Sequence, residues 1–223
     1  MIITHNGTIL TNDGVVLNNI ITSPSFINTY SLEFDGVNDR LDCGDFSVLS
    51  GASAVSVSIW FKKTEFNSTS NRILLDFKEG TSRILIQLRN STSIFLYVNG
   101  VYGNFAVSSA LGWHSLVYVF NGSGATNADK LKLYINNVEI IASSYTATVP
   151  TALGSFTSAM DSIIGALSTG TNVFVGNIDE VSIFNRVVTP SEISTLSTSP
   201  TVDLTSLNPL AWYRMGDNGA YKD

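Results

Sequence analysis

Short runs of alternating polar and apolar residues, cut at intervals by Asn, Asp and Gly, leave this chain few folds to choose from. Val55–Lys62, VSVSIWFK, is the clearest run: Val55, Val57, Ile59 and Phe61 point one way, Ser56, Ser58, Trp60 and Lys62 the other. Arg72–Phe77 and Arg83–Leu88 follow, joined by Lys78–Ser82 with Gly80 in the turn. Ile94–Val98 and Val101–Phe105 flank Asn99-Gly100, and Leu131–Ile135 and Val138–Ala142 flank Asn136-Asn137. Such pairs favour the left-handed backbone that a two-residue hairpin requires. Tyr30–Phe34, Trp113–Phe120, Ser162–Ala166 and Val173–Phe184 complete about a dozen strands. Trp113–Phe120 is apolar on both faces, as a central strand must be. Helical periodicity is almost absent, so the chain reads as all-β, a two-sheet antiparallel sandwich of the jelly-roll kind.

One helix is written plainly. After Ile178–Phe184, Thr189 stands at an N-cap, Pro190 at the first helical position and Glu192 where a capping box needs it. A short helix is expected near 189–196. Simple alternation puts Asp179 on the strand face of Val181 and Ile183, and Glu180 on the opposite face. A carboxylate among branched aliphatics must be hydrogen-bonded, paired or bound to a metal.

Three regions follow. Residues 1–29 read as an N-terminal extension, in which Thr8–Leu10 and Val15–Leu17 flank Asn12-Asp13-Gly14 as a hairpin, and Ser23–Thr29 is a linker. Residues 30–193 hold the sandwich. Residues 194–223 begin with a Ser/Thr/Pro-rich stretch and end in LAWYRMG, Leu210–Gly216. That run is either a last strand docking back or the opening strand of a further unit.

Composition narrows the function. Only 13% of residues are charged, against roughly 25% in ordinary soluble proteins, and the net charge is −6. Lys62–Lys63 is the one adjacent basic pair, so nucleic acid and anionic membranes are not expected partners. The N-terminal MIITHNGTILTNDG has neither the basic nor the apolar region of a signal peptide, and no run approaches the ~20 apolar residues of a membrane span. A Ser/Thr/Asn-rich surface without an export signal points to a virion component, outside the cell after lysis. The sole cysteine, Cys43, reads as a small buried hydrophobe.

Four blocks resemble the laminin-G-like, concanavalin-A-like sandwich family across about residues 30–193. They are SLEFDG at Ser31–Gly36, VSVSIWFK, GWHSLVYVF (Gly112–Phe120) followed by LKLYINN (Leu131–Asn137), and the closing tract from Phe174 to Ile193. The resemblance implies two curved antiparallel sheets. It also implies a structural calcium that joins the early turn to the closing strand, which points to Asp35 and Asp179. The alternative is that the Asp residues around Gly36 and Gly44 cap their own turns.

Hydrolases with this sandwich carry a strand resembling E-x-D-x-x-E, and this chain has none; Glu33-x-Asp35 ends at a turn. His5 and His114 have no G-x-S-x-G partner, and His114 shares a face with Leu116, Tyr118 and Phe120. The chain is therefore expected not to be an enzyme. Sugar stacking would use an aromatic from Trp60, Tyr97, Tyr102 or Trp113; Trp60, on the face of Ser56 and Ser58, is the leading candidate, and core packing is its other reading. The expected function is a non-enzymatic binding or structural module on a particle surface, a bacteriophage decoration, fibre or adhesin component. It would be oligomeric in an assembly and attached to other virion proteins through residues 1–29. The alternative is a carbohydrate-binding module for host-surface glycans, and a glucanase-type hydrolase comes third.

Overall fold

A computed structural model of the chain describes residues 30–64 and 71–215 in full. Of the first 29 residues it describes the backbone of three strands, β1 (Ile3–His5), β2 (Thr8–Leu10) and β3 (Val16–Leu17). These pair antiparallel in the order β1-β2-β3, with Ile9 opposite Leu17. The expected linker at Ser23–Thr29 and the final Gly216 lie outside the described residues.

The sandwich strands are β4 (Leu32–Asp35), β5 (Leu41–Asp42), β6 (Ala54–Lys63), β7 (Arg72–Glu79), β8 (Ser82–Asn90), β9 (Ser93–Val98) and β10 (Val101–Ala106). After β11 (Gly112–Asn121) and the single-turn α1 (Asn127–Lys130) come β12 (Leu131–Ile135), β13 (Val138–Ile140), β14 (Ala142–Tyr145), β15 (Asp161–Ile164) and β16 (Val175–Phe184). Helix α2 (Pro190–Thr198) and β17 (Ala211–Tyr213) close the chain. One seven-stranded sheet runs β14-β10-β9-β8-β7-β15-β5; the other runs β13-β12-β11-β6-β16-β17, with β4 also paired to β16. All pairings are antiparallel. The sandwich read from alternation is therefore present.

Turn chemistry explains the hairpins. Asn99 and Gly100 have φ of 48° and 84°, and Asn136 and Asn137 have φ of 50° and 66°. Both central residues of each turn are thus left-handed, the conformation that Asn and Gly tolerate best. One expected strand is in fact two. Val138–Ala142 breaks at Ile141, with β13 on β12 in one sheet and β14 on β10 in the other. The apolar pattern is continuous there, so periodicity alone gives no sign of the change of sheet.

Between the sheets, Val55, Val57, Ile59 and Phe61 of β6 meet Ile84, Ile86, Leu96 and Val98 of the facing sheet, all fully buried or nearly so. A second core lies on the outer face of the β6 sheet. There Val117, Val119 and Phe184 are covered by Val188, Ile193 and Leu196 of the α2 region and by Leu204 and Trp212 of the C-terminal segment. Leu210–Tyr213 thus belongs to this sandwich: Trp212 pairs with Ser182 of β16.

The α2 capping box forms as the sequence indicates. Thr189 Oγ1 accepts from Glu192 N at 3.3 Å, and Glu192 Oε2 accepts from Thr189 N at 2.7 Å. Arg186 clamps Glu192 in two hydrogen bonds of 2.8 and 2.7 Å. This pairing holds the Glu192 carboxyl down at about 2.

Candidate functional site

The two carboxylates singled out for a metal do not come together. Asp35 is exposed at the end of β4 and accepts from Val37 N at 2.8 Å, while its own N–H donates to Asp39 Oδ2 at 2.8 Å. Asp42 and Asp45 likewise accept from Gly44 N and Ser47 N, at 3.0 and 2.7 Å. These carboxylates cap turns, the alternative to calcium. Asp35 lies opposite Val175, whereas Asp179 lies opposite Trp60. Four residues of strand separate the two positions by roughly 13 Å along β16. One calcium, at about 2.3–2.6 Å from each ligand, cannot join them.

The closing strand departs from simple alternation. Its register with β6 shifts between Asp179 and Ser182, which places one extra residue there. Glu180 takes the bulge position with φ of 46°, left-handed for a non-glycine residue. Cross-strand partners share a face, so Asp179 shares the outer face with Trp60. Val181 and Ile183 turn into the central core. The expected company of Asp179 with Val181 and Ile183 is thereby corrected. Asp179 Oδ1 accepts from Glu180 N at 2.8 Å, and both acids are 3% exposed. Glu180 accepts from the Trp212 indole N–H and faces Arg214 Nε at 3.5 Å. Burial pushes the Glu180 carboxyl up to about 7, against the pull of Trp212 and Arg214.

Trp60 is not an open stacking platform. Its Nε1 donates to the Leu196 carbonyl of α2 at 3.0 Å, and the ring borders a small recess with Ser58, Leu196 and Pro200. The serines that suggested a solvent face instead take part in the second core: Ser56 Oγ donates to Arg186 O at 2.8 Å and accepts from Val188 N at 3.1 Å. Periodicity separates two faces and cannot say which of them a later helix covers. His114 is buried and satisfied, with Nε2 3.0 Å from Ala110 O and Nδ1 3.3 Å from Asn136 Nδ2. Cys43 is partly buried, and desolvation raises its thiol to about 12.

A more coherent site lies on the outer face of the other sheet, across β8, β9 and β10. Gln87, Phe95, Asn104 and Ser144 form one cross-strand row; Leu85, Tyr97 and Tyr102 form the next. The Phe95 and Tyr102 rings stack at 4.6 Å and 15°, and Tyr97 meets Tyr102 at 4.7 Å. Exposed Arg89 holds its guanidinium 5.4 Å from the Phe95 ring centre. Arg83, at the other side, binds Asp76 through two hydrogen bonds of 2.7 and 3.0 Å. Asp76 is fully buried and also accepts from Ser168 N at 2.9 Å. Two amides flank the rings without protein partners: Asn104 Oδ1 is buried and unsatisfied, and Gln87, 5% exposed, makes no hydrogen bond among the described residues. A buried polar group normally has a partner, so Asn104 Oδ1 is a group to which a ligand can bond.

Tyr97 and Tyr102 were candidates by residue type. Phe95, Gln87, Asn104, Arg83 and Arg89 were missed, although alternation in SRILIQLR, SIFLYV and VYGNFA places them outward. What the sequence lacks is the register that lines these strands up.

The sequence profile described as the concanavalin A-like lectin/glucanases superfamily matches residues 35–194. No curated protein sequence matches the chain. Among solved structures, the CBM40 of a Ruminococcus gnavus IT-sialidase bound to alpha2,3 sialyllactose superposes with TM-score 0.56 at 13% identity, covering 78% of this chain and 99% of that one. A Bacteroides ovatus protein named for carbohydrate binding superposes with TM-score 0.61 at 13% identity, over 84% and 52% of the two chains. A heptameric SAP-like pentraxin from Limulus polyphemus gives TM-score 0.51 at 13% identity, over 74% and 80%. Identities this low speak for the shared fold.

Proposed function

The chain belongs to the concanavalin A-like lectin/glucanase superfamily, and we propose that it is a non-catalytic, lectin-like module that binds glycans on the outer face of β8–β10. The observation that carries this reading is the arrangement of stacked aromatic rings beside the unsatisfied amide oxygen of Asn104. A pyranose offers C–H groups to a ring face and hydroxyls to amides, and this surface supplies both. The solved relatives with carbohydrate-binding names agree with it.

Three positions of charge support binding without catalysis. Glycoside cleavage needs two free carboxyl groups across the scissile bond. Asp76, which borders the patch, is saturated by Arg83 and Ser168. Asp179 and Glu180 lie on the opposite sheet beneath the C-terminal segment.

Glycan-array binding followed by calorimetry tests the reading. Tyr102→Ala and Asn104→Ala should each weaken the best glycan about tenfold or more while leaving the melt cooperative. Absence of binding across broad glycan classes, or wild-type affinity in both variants, overturns it. The weakly charged, Ser/Thr/Asn-rich surface also suits display on a phage virion or other particle, with residues 1–29 as the attachment element. Finding the protein in purified particles, and losing it there when residues 1–29 are deleted, tests that placement.

A further inference from the structure

A second cavity opens at one end of the sandwich, between the sheets and away from the β8–β10 outer face. Its walls are Phe61 and Lys63 of β6, Leu88, Ile94, Val107 and Ile135, with His114 and Asn136 at the rim. It is open to solvent on one side and offers about 160 Å³. That is close to the ~150 Å³ apolar cavity known to take up benzene.

Lys63 is what makes this cavity more than a packing gap. It follows Phe61 by two residues, so its side chain enters the inner, apolar face of β6. The residue is only 8% exposed. Its ammonium has three donors, and among the described residues one is used, on the Ser91 carbonyl at 3.0 Å. Burial lowers its pKa, as expected of a cation short of solvent. The ring nitrogens of His114 are both engaged elsewhere. Asn136 Oδ1 accepts from Ser115 N at 3.0 Å, which turns the Asn136 amino group toward His114 Nδ1. Nδ1 therefore accepts from Asn136 and Nε2 donates to Ala110 O, which leaves neither nitrogen for Lys63.

We propose that this cavity binds a small monocarboxylate with a benzene-sized apolar body, the carboxylate on Lys63 and the body among Phe61, Leu88, Ile94 and Ile135. A single negative charge matches the single ammonium. A phosphate dianion would leave a second charge uncompensated in an apolar wall. A neutral ligand could accept from the ammonium but would leave its charge uncompensated. This site is independent of glycan binding.

Benzoate is the probe, benzyl alcohol its neutral counterpart, and the readout is methyl NMR of the full chain. Benzoate should shift the Ile94 and Ile135 methyl signals, and benzyl alcohol should bind roughly 10- to 100-fold more weakly. Lys63→Met should erase that preference, and Ile135→Phe should exclude both compounds. Equal binding of the two compounds to the wild-type chain, or benzoate shifts confined to other residues, overturns the proposal. That comparison needs no variant, so it decides even if Lys63→Met fails to fold.

Discussion

Replacing Glu180 with Gln isolates a pH dependence that the bulge in β16 builds into the fold. Glu180 is 3% exposed, left-handed, and held between the Trp212 indole N–H and Arg214. Desolvation raises its carboxyl from an ordinary 4.5 to about 7. A raised acid is bound more tightly to its proton in the folded chain than in the unfolded one. Its stabilising contribution is thus complete below 4.5 and is lost as pH rises to about 7. At about 1.4 kcal/mol for each tenfold change in proton concentration, the window is worth about 3 kcal/mol. For a chain of this length that is roughly 6–12 °C of melting temperature. The carboxyls held low, Glu192, Asp45, Asp129 and Asp203, act with the opposite sign and below their own ordinary values. They therefore do not offset Glu180 in the window from 4.5 to 7, and comparison with the variant cancels the histidines. The amide of Glu180→Gln still accepts from Trp212 but does not titrate. Thermal melts at pH 4.5, 5.5, 7 and 8 should show the wild-type chain losing stability relative to the variant across that span, then running parallel to it. Parallel curves throughout, or a variant less stable than wild type at pH 8, would refute the reasoning.

Breaking the Asp76–Arg83 pair by Asp76→Ala should cost about 3–5 kcal/mol in denaturant titration, because Arg83 and the Ser168 N–H lose a fully buried acceptor; a loss below 1 kcal/mol would show that the pair is replaced by water. Trp60→Phe removes the bond to Leu196 and should lower stability by about 1 kcal/mol without altering glycan affinity. A large affinity loss in that variant would return the sugar site to the α2 side. Chelator should leave the melting temperature unchanged, since Asp35 and Asp179 are too far apart to share an ion; a clear drop would reveal a calcium site built from other ligands.

Much of this architecture is legible in local pattern. The Asn99-Gly100 and Asn136-Asn137 turns, the alternation of β6 and the Thr189–Glu192 box each state a backbone conformation within a few residues. What is not local is not legible. That Ser56, Ser58 and Trp60 lie under α2 depends on a helix more than 120 residues away. The change of sheet at Ile141 depends on which neighbour has a free edge, β12 or β10.

The extra residue at Glu180 shows why the site was harder to read than the fold. Period-2 logic assigns a face to every residue after the first, so one unrecognised bulge moves everything upstream of it to the opposite face. It turned Asp179 from an imagined companion of Val181 into a neighbour of Trp60. Binding surfaces on a sheet suffer from the same non-locality. Gln87, Phe95 and Asn104 are ordinary strand residues in sequence, and they become one row only when three strands align in register. A strand pattern therefore reports a sandwich early, because each strand votes separately. A glycan-sized surface needs several strands at once, and its chemistry is written in the register that joins them.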